Sequence, residues 1–373
     1  MSQYRYILFG AGRQGTAAVH DLVTNCEAKS VHVIEPDAAR LKAASDRLKG
    51  LLKKRASALS FATSATASDL RGAHGVLSCA THQANVELTR LALAAGAPFT
   101  DLGGNYEIVS KQEALAKKSS VPVVPDCGIS PGISNIMAVH CAKTHGCDEV
   151  HVRCGGLPLE RPSAVANPLQ YKLVFSPWGL LSEYSGDVSR IRDGKVDTWP
   201  ALSVTEEFDA EHESSPTSNN SPQVVRYLAE CGVTTYDYMT IRYKGHWDLA
   251  RGWKTLGFLK RDAQRDAKLV ELLDSDPVLR YDPKKDRDKL ILRVQGSKSA
   301  HGLTRGFEYR FDVAADPKTK FSAMELTTCW GITIVAHHMA SGRGAPKGFS
   351  TPERFVDTNW VLAEVEKRLA QIG

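Results

Sequence analysis

The sequence predicts an α/β fold in which a doubly wound parallel sheet is followed by a second α+β domain with a mixed sheet. Three observations predict it. Over the first ~125 residues short β-branched runs alternate with longer helical patterns, the signature of βαβ units. A glycine-rich turn follows the first of those runs directly. Beyond Pro125 the runs become longer and more polar, as in sheets with one wetted face.

The N-terminal runs are 4–9, 30–34, 58–61, 75–79, 98–101 and 121–124. They are enough to complete a nucleotide-binding sheet. Between two of them, 83–95 sets Val86, Leu88, Leu91 and Leu93 at near-helical spacing, which reads as a crossover helix. The later strands are expected at 149–153, 236–243, 289–294 and 306–313. Segment 209–223 (DAEHESSPTSNNSPQ) is rich in Ser, Asn and Pro and reads as a surface loop, and 281–289 as a second loop. A buried helix is expected over 324–339. An amphipathic one is expected over 354–369, carried by Phe355, Trp360, Val361, Leu362, Val365 and Leu369 and returning to the first domain. The domains expected are therefore 1–126, 127–325 and 326–373.

The 373 residues are 42% hydrophobic and 24% charged, the profile of a chain with a sizeable core. Lys and Arg number 47 against 42 Asp and Glu, and the two signs are interspersed, so no nucleic-acid or membrane partner is expected. The start MSQYRYILFGAG lacks the pattern of a secretory signal, and no run approaches the ~18 apolar residues of a membrane span. Eight scattered cysteines read as reduced thiols, and the expected location is cytoplasmic.

Gly10-Ala11-Gly12-Arg13-Gln14-Gly15 opens a helical pattern right after the first strand. Gly10 permits the tight turn, Gly12 lets backbone approach a pyrophosphate, and Gly15 lets helix pack on strand. The second strand, VHVIE, ends in Glu35, where an acid accepts the ribose hydroxyls. This is the Rossmann fingerprint, and the carboxylate points to NAD, since it would repel a 2′-phosphate. Arg40 close by keeps NADP as the minority choice. Further cofactor contacts are expected at later strand ends, from Cys79, Ala80, Thr81, Asp101 and Gly103, alongside Arg13 and Gln14 in the glycine turn.

Several segments carry a resemblance: VLSCATHQAN at 76–85, DLGGN at 101–105, PDCGISPGISN at 125–135, CGGLP at 154–158, NPLQYKLVFSPWGLLSEY at 167–184, IRDGKV at 191–196 and IRYKGHWD at 241–248. In these the chain resembles the saccharopine dehydrogenase-like family, and within it most closely the lysine 6-dehydrogenases. The resemblance implies NAD-dependent oxidation of the ε-amino carbon of L-lysine with release of ammonia. The product would be 2-aminoadipate 6-semialdehyde, cyclising to a piperideine carboxylate. It also implies a homo-oligomer, dimer or larger, with a small amino-acid substrate.

Such chemistry needs a base, because hydride leaves a carbon bearing a neutral amine, not an ammonium. Asp126 would pair with the ε-ammonium or act as that base; its alternative is a helix-entry cap. His82 would move protons or cap the helix beginning near Gln83. Cys79 reads as a small residue lining the nicotinamide, since hydride transfer needs no thiol nucleophile. Arg242, preferred over Arg153, would grip the α-carboxylate, with His246 four residues on touching the same ligand. Tyr171 and Lys172 would border substrate, Lys172 with a possible catalytic role or else as a snorkelling surface lysine. Glu183 would pair with the α-amine or lie on a solvated helix face. His140, Cys141, His145 and Cys147 do not match zinc spacing, so no metal is expected. The competing functions are a saccharopine-type or carboxynorspermidine-type reductase joining an aldehyde to an amine, and a non-catalytic dinucleotide sensor.

Overall fold

A computed structural model of the chain describes residues 3–372 except 105, 220, 261, 301, 302 and 344–346. Asn105 and Asn220, which fall in two segments singled out above, lie outside the described residues. The chain divides into two compact units, Met1–Ile136 with Glu325–Gly373, and Met137–Met324.

In the first unit the parallel strands are β1 (Tyr4–Phe9), β2 (Ala28–Ile34), β3 (Leu59–Ala62), β4 (Gly75–Ser78), β5 (Phe99–Asp101) and β6 (Pro122–Val124). A seventh strand, Gly348–Phe349, joins beyond β6, giving the order seventh, β6, β5, β4, β1, β2, β3. The order reverses between β1 and β4, the switch point at which doubly wound sheets bind ligands beyond their strand ends. Both faces of the sheet are covered, so Ile7, Leu8, Val31, Val33, Val76, Leu77, Phe99 and Val123 are all buried. Each expected strand stands within one or two residues of its place. The seventh was not expected.

The C-terminal return is held by a buried ion pair. Arg368 on the helix Thr358–Leu369 donates from Nε to Asp21 Oδ1 at 3.0 Å and from Nη2 to Oδ2 at 2.9 Å, while the Thr333 hydroxyl donates to the same carboxylate at 2.5 Å. Asp21 lies on the first helix, Arg13–Asn25. The helix expected over 354–369 is in fact two, Pro352–Phe355 and Thr358–Leu369. Asp357 separates them, accepting from the Asn359 and Trp360 N–H groups as the cap of the second.

The second unit carries a mixed sheet. Its strands are β7 (Glu149–Pro158), β8 (Asp187–Arg192), β9 (Lys195–Pro200), β10 (Glu206–Glu207), β11 (His212–Pro216), β12 (Thr235–Tyr243), β13 (Asp288–Ala300) and β14 (Leu303–Ala314). The order is β10, β11, β12, β7, β13, β14, with the β8–β9 hairpin attached to β12. Only β12 and β7 run parallel among these described pairs. The surface loop expected over 209–223 is corrected here. Its middle is β11, an internal strand, and its end begins the helix Pro222–Glu230. Ser214, Ser215 and Thr217 are buried because each hydroxyl has a partner: Met239 Sδ, the Val204 carbonyl and the Thr240 hydroxyl.

Candidate functional site

The dinucleotide end of the first unit is built by close backbone packing. A Cβ at Gly10, where φ is +92°, would meet the Ala80 nitrogen at 2.7 Å, and one at Gly15 would meet the Gly10 carbonyl oxygen at 1.8 Å. At Gly12 a Cβ would meet nothing within 4 Å. The turn is therefore locked against β4 on one side and open on the other. The helix Arg13–Asn25 begins there with no side-chain cap and no acid in its first turn, leaving its leading N–H donors for an anion.

Glu35 is buried at the end of β2, and its Oε2 accepts from the Ala11 N–H at 2.9 Å. Its Oε1 accepts from the Asp37 N–H at 3.1 Å and lies 3.4 Å from Arg40 Nη1. Each oxygen has two lone pairs, so capacity for ribose hydroxyls remains. These residues fit a bound dinucleotide. Arg13, expected to contact it, points its Nε at Glu325 Oε1, 2.6 Å away.

Beyond β4, β5 and β6 the strand ends are tied together. Asp101 Oδ1 accepts from the Gly103 N–H at 2.8 Å and the Asp126 N–H at 3.3 Å, and Oδ2 accepts from Gln112 at 2.6 Å. It is wholly buried, and burial pushes its pKa up to about 6. The cofactor-contact expectation for Asp101 is thereby corrected: its oxygens serve the loops, and no face of it is open to a ligand. Asn85 does similar work, accepting from Ser78 at 2.7 Å and donating to the Gly103 carbonyl at 3.4 Å.

Asp126 stands at φ +61° in the left-handed region. The next helix starts at Ile133, so the helix-cap alternative for Asp126 falls. Its Oδ1 is buried without a hydrogen-bond partner among the described residues. Burial first, then the charge of Asp101, raises its pKa to about 8. The Gly103-Gly104 turn separates Asp126 from His82: a Cβ at Gly103 would strike Asp126 Oδ1 at 2.7 Å, and one at Gly104 would meet His82 Cβ at 3.4 Å. His82 opens the short turn His82–Ala84, directly after Thr81, and burial lowers its pKa. The Cys79 thiol is pushed up to about 12 by burial and Asp101, so it stays protonated and unreactive.

In the second unit the structure gathers Tyr171, Glu183, Arg242 and His246, and adds Tyr184, which the sequence reading passed over. Arg242 is 1% exposed. Its Nε donates to the Tyr184 hydroxyl at 3.1 Å, Nη1 to the Ile241 carbonyl at 2.9 Å and Nη2 to Glu183 Oε2 at 3.4 Å, while its guanidinium lies 4.6 Å from the Tyr171 ring. Thr240 donates to the other Glu183 oxygen at 2.7 Å. His246 Nδ1 pairs with the Leu169 carbonyl at 2.7 Å, an acceptor only, so Nδ1 carries the proton and Nε2 accepts from Tyr184 at 2.7 Å. Burial and the Arg242 charge depress His246 to about 3, fixing it neutral.

This closed network corrects the expectation of an open carboxylate anchor. The arginine fork is already satisfied from within the unit, and Glu183 is its buried counterion, neither an amine partner nor part of a solvated face. Lys172 is likewise engaged, 3.1 Å from Asp286, whose same oxygen accepts the Asp282 N–H at 2.7 Å. It pins the 281–287 loop, a structural task in place of the catalytic one expected. An apolar cavity of about 320 Å³ between Leu181, Trp253, Phe258 and Leu273 has Asp276 as its one ionisable lining residue, which makes no acid–base pair.

A nucleotide cradle at the switch point of a doubly wound sheet, with a protonatable carboxyl past β6 of the same sheet, defines a protein of the dinucleotide-dependent dehydrogenase class. Comparison with known proteins makes that narrower: the chain belongs to the saccharopine dehydrogenase family. Residues 6–124 match the Saccharopine dehydrogenase NADP binding domain and residues 128–372 the Saccharopine dehydrogenase C-terminal domain. Among curated relatives, the mitochondrial alpha-aminoadipic semialdehyde synthase of Mus musculus is 27% identical over 175 residues, 40% of this chain and 17% of the relative. The saccharopine dehydrogenase (NADP+, L-glutamate-forming) of Pyricularia oryzae is 32% identical over 94 residues, 22% of this chain and 19% of the relative. The chain thus spans less than a fifth of the length of either. The apo saccharopine dehydrogenase (L-Glu forming) of Saccharomyces cerevisiae has the same fold, with a TM-score of 0.74 at 16% identity over 99% of this chain and 98% of that one.

Proposed function

We propose that the chain is an NAD-dependent amine dehydrogenase that oxidises the ε-amino carbon of L-lysine and releases ammonia and 2-aminoadipate 6-semialdehyde. The observation that carries this reading is Asp126. Its buried carboxyl, raised to about 8, has an oxygen without a partner among the described residues and stands past β6, the strand next to β5. A carboxyl so tuned ionises as the pH approaches 8, and the carboxylate then takes a proton from an ammonium. A nicotinamide, when bound, supplies the hydride acceptor. Asp126 then holds the amine in its neutral form, and His82, across the Gly103-Gly104 turn, relays a proton when water adds to the oxidised carbon. NAD is preferred because of the Glu35 carboxylate. The lysine specificity rests on the resemblance of 167–184 and 191–196 to lysine 6-dehydrogenases. The same reading takes the enzyme to be a cytoplasmic homo-oligomer.

A second reading, a saccharopine-type reductase joining an aldehyde to an amine, is favoured by Arg40 beside Glu35, which offers a cation to a 2′-phosphate, and by the activities for which the relatives are named. One assay separates them. With lysine as the sole organic substrate, NADH and ammonia should form in equal amounts. NADH without ammonia, or no NADH from lysine together with consumption of NADH or NADPH once an aldehyde and glutamate are supplied, rejects the first reading.

A further inference from the structure

Three neighbouring strands of the first unit lead into carboxyl groups. β5 ends in Asp101, the chain past β6 carries Asp126, and the chain past Gly348–Phe349 carries Glu353. The last two follow strands that are paired in parallel, so both chains leave the sheet at the same end. Gly348 lies opposite Pro122 and Phe349 opposite Val123, and the Ser350 N–H bonds the Val123 carbonyl at 3.0 Å. Asp126 is three residues past Val123 and Glu353 four past Phe349, and the Glu353 charge is among those that raise Asp126.

Glu353 is 2% exposed, and neither of its oxygens has a donor at hydrogen-bond geometry among the described residues. Burial pushes its pKa up, tempered by hydrogen bonding from the Thr351 hydroxyl and from its own backbone N–H, and least of all by Arg354. No cation draws down Asp126 or Asp101 among the described residues. Asp126 Oδ1 and both Glu353 oxygens are thus buried acceptors awaiting donors, in a place where two carboxyls cannot both ionise without a counter-cation. No group of three or more His, Cys, Asp or Glu among the described residues is arranged to hold a metal. An –NH3+ group has the missing charge and three donors for three oxygens.

We propose that Glu353 is a second ammonium-binding carboxyl of this site, paired with Asp126, and that its ligand is a primary alkylammonium group. The proposal rests on the amine-dehydrogenase reading. When R–NH3+ meets one ionised carboxyl of the pair, one proton passes to that carboxylate, leaving R–NH2 and a carboxylic acid with total charge unchanged.

The test is calorimetric titration of the full chain, with NADH present, with n-pentylammonium and with 1-pentanol as the neutral control. Wild type, Glu353→Gln, Glu353→Asp and the exposed control Glu366→Gln are compared. Glu353→Gln should weaken pentylammonium binding by roughly thirtyfold or more, as loss of a buried charged partner does, and should leave NADH binding and pentanol binding unchanged. It should also raise Tm without amine, since an uncompensated buried carboxyl is removed. Glu353→Asp should bind pentylammonium better than Glu353→Gln, and Glu366→Gln should match wild type. Unaltered ammonium affinity in Glu353→Gln, a lowered Tm with NADH binding lost, or preference of the wild type for Mg2+ over pentylammonium each overturns the proposal. If the wild type binds pentylammonium through Glu353 but oxidises no amine, the reaction reading fails alone. If it oxidises lysine and Glu353→Gln leaves the lysine KM unchanged, this proposal fails alone.

Discussion

The Asp101 carboxylate holds the backbone N–H of Asp126 at 3.3 Å. One buried acid thus positions another through the main chain, which lets Asp126 keep its own carboxyl unengaged at Oδ1 while standing in the left-handed region. An aspartate tolerates that conformation at a cost of about 1 kcal/mol or more, offset by surrounding bonds. Asp101→Asn substitutes an NH2 for one acceptor, so either Gln112 or the Gly103 and Asp126 N–H groups lose their partner. Thermal unfolding should show a loss of about 1 to 3 kcal/mol, and activity should fall more than NAD affinity. An Asp101→Asn protein as stable as wild type would show that the loops hold themselves.

The raised Asp126 pKa has two consequences of fixed sign. In the folded chain the group keeps its proton up to about 8, whereas unfolded it releases it near 3.8. The folded state therefore binds more protons between those values, and stability from this group is full below 3.8 and lost as pH rises through about 8. The rate of amine oxidation runs the other way, climbing toward pH 8 as the carboxylate appears. Asp126→Asn should flatten both the decline of Tm and the climb of rate. A variant that retains the wild-type rate profile would remove Asp126 from the proton path.

Much of the first unit was legible because its strands are apolar, β-branched and punctuated by glycine, and a fully buried parallel sheet needs those residues. The two-residue strand Gly348–Phe349 left no periodicity to read, since its existence depends on the C-terminal return beside β6. Glu353 was hidden for the same reason: in sequence it is one acid just ahead of an amphipathic pattern, and nothing linear shows that it is buried. The Asp357-Thr358 pair was the available signal for a helix start there. β11 was misread because buried Ser and Thr that bond across strands look like loop residues in a composition count. Arg242 and His246 were found for their chemistry, but nothing in a linear pattern shows that Glu183 and Tyr184, on a separate helix and its end, already occupy them.

The proposed preference for NAD rests on Glu35, with Arg40 3.4 Å from it. Replacing Glu35 with Ser removes the negative charge that opposes a 2′-phosphate and frees the Arg40 guanidinium. The ratio of kcat/KM for NADP over NAD should then rise about tenfold or more, equal to about 1.4 kcal/mol. Because Glu35 also accepts the Ala11 N–H, absolute affinity for both cofactors should fall. An unchanged ratio would mean that another group reads the ribose.

The Arg242–Glu183 pair decides between an anchor and a core. Both side chains are buried, 3.4 Å apart, and Tyr184 bridges the arginine to a His246 held neutral. Removing one partner strands the other charge in the interior, so Arg242→Ala or Glu183→Ala should each destabilise the protein by about 3 to 5 kcal/mol in urea unfolding. Replacing the two together by Met and Leu leaves no unpaired charge and should cost far less than the sum of the single changes. Catalysis offers the discriminating readout. If the network is structural, the double variant keeps a lysine KM close to wild type once it is folded at low temperature. If Arg242 exchanges Glu183 for a substrate carboxylate, the KM of that stable double variant rises by roughly thirtyfold or more, the size expected for loss of a buried charged contact. A large KM effect in a protein of restored stability would therefore reinstate Arg242 as the anchor and show that the closed arrangement opens when substrate arrives.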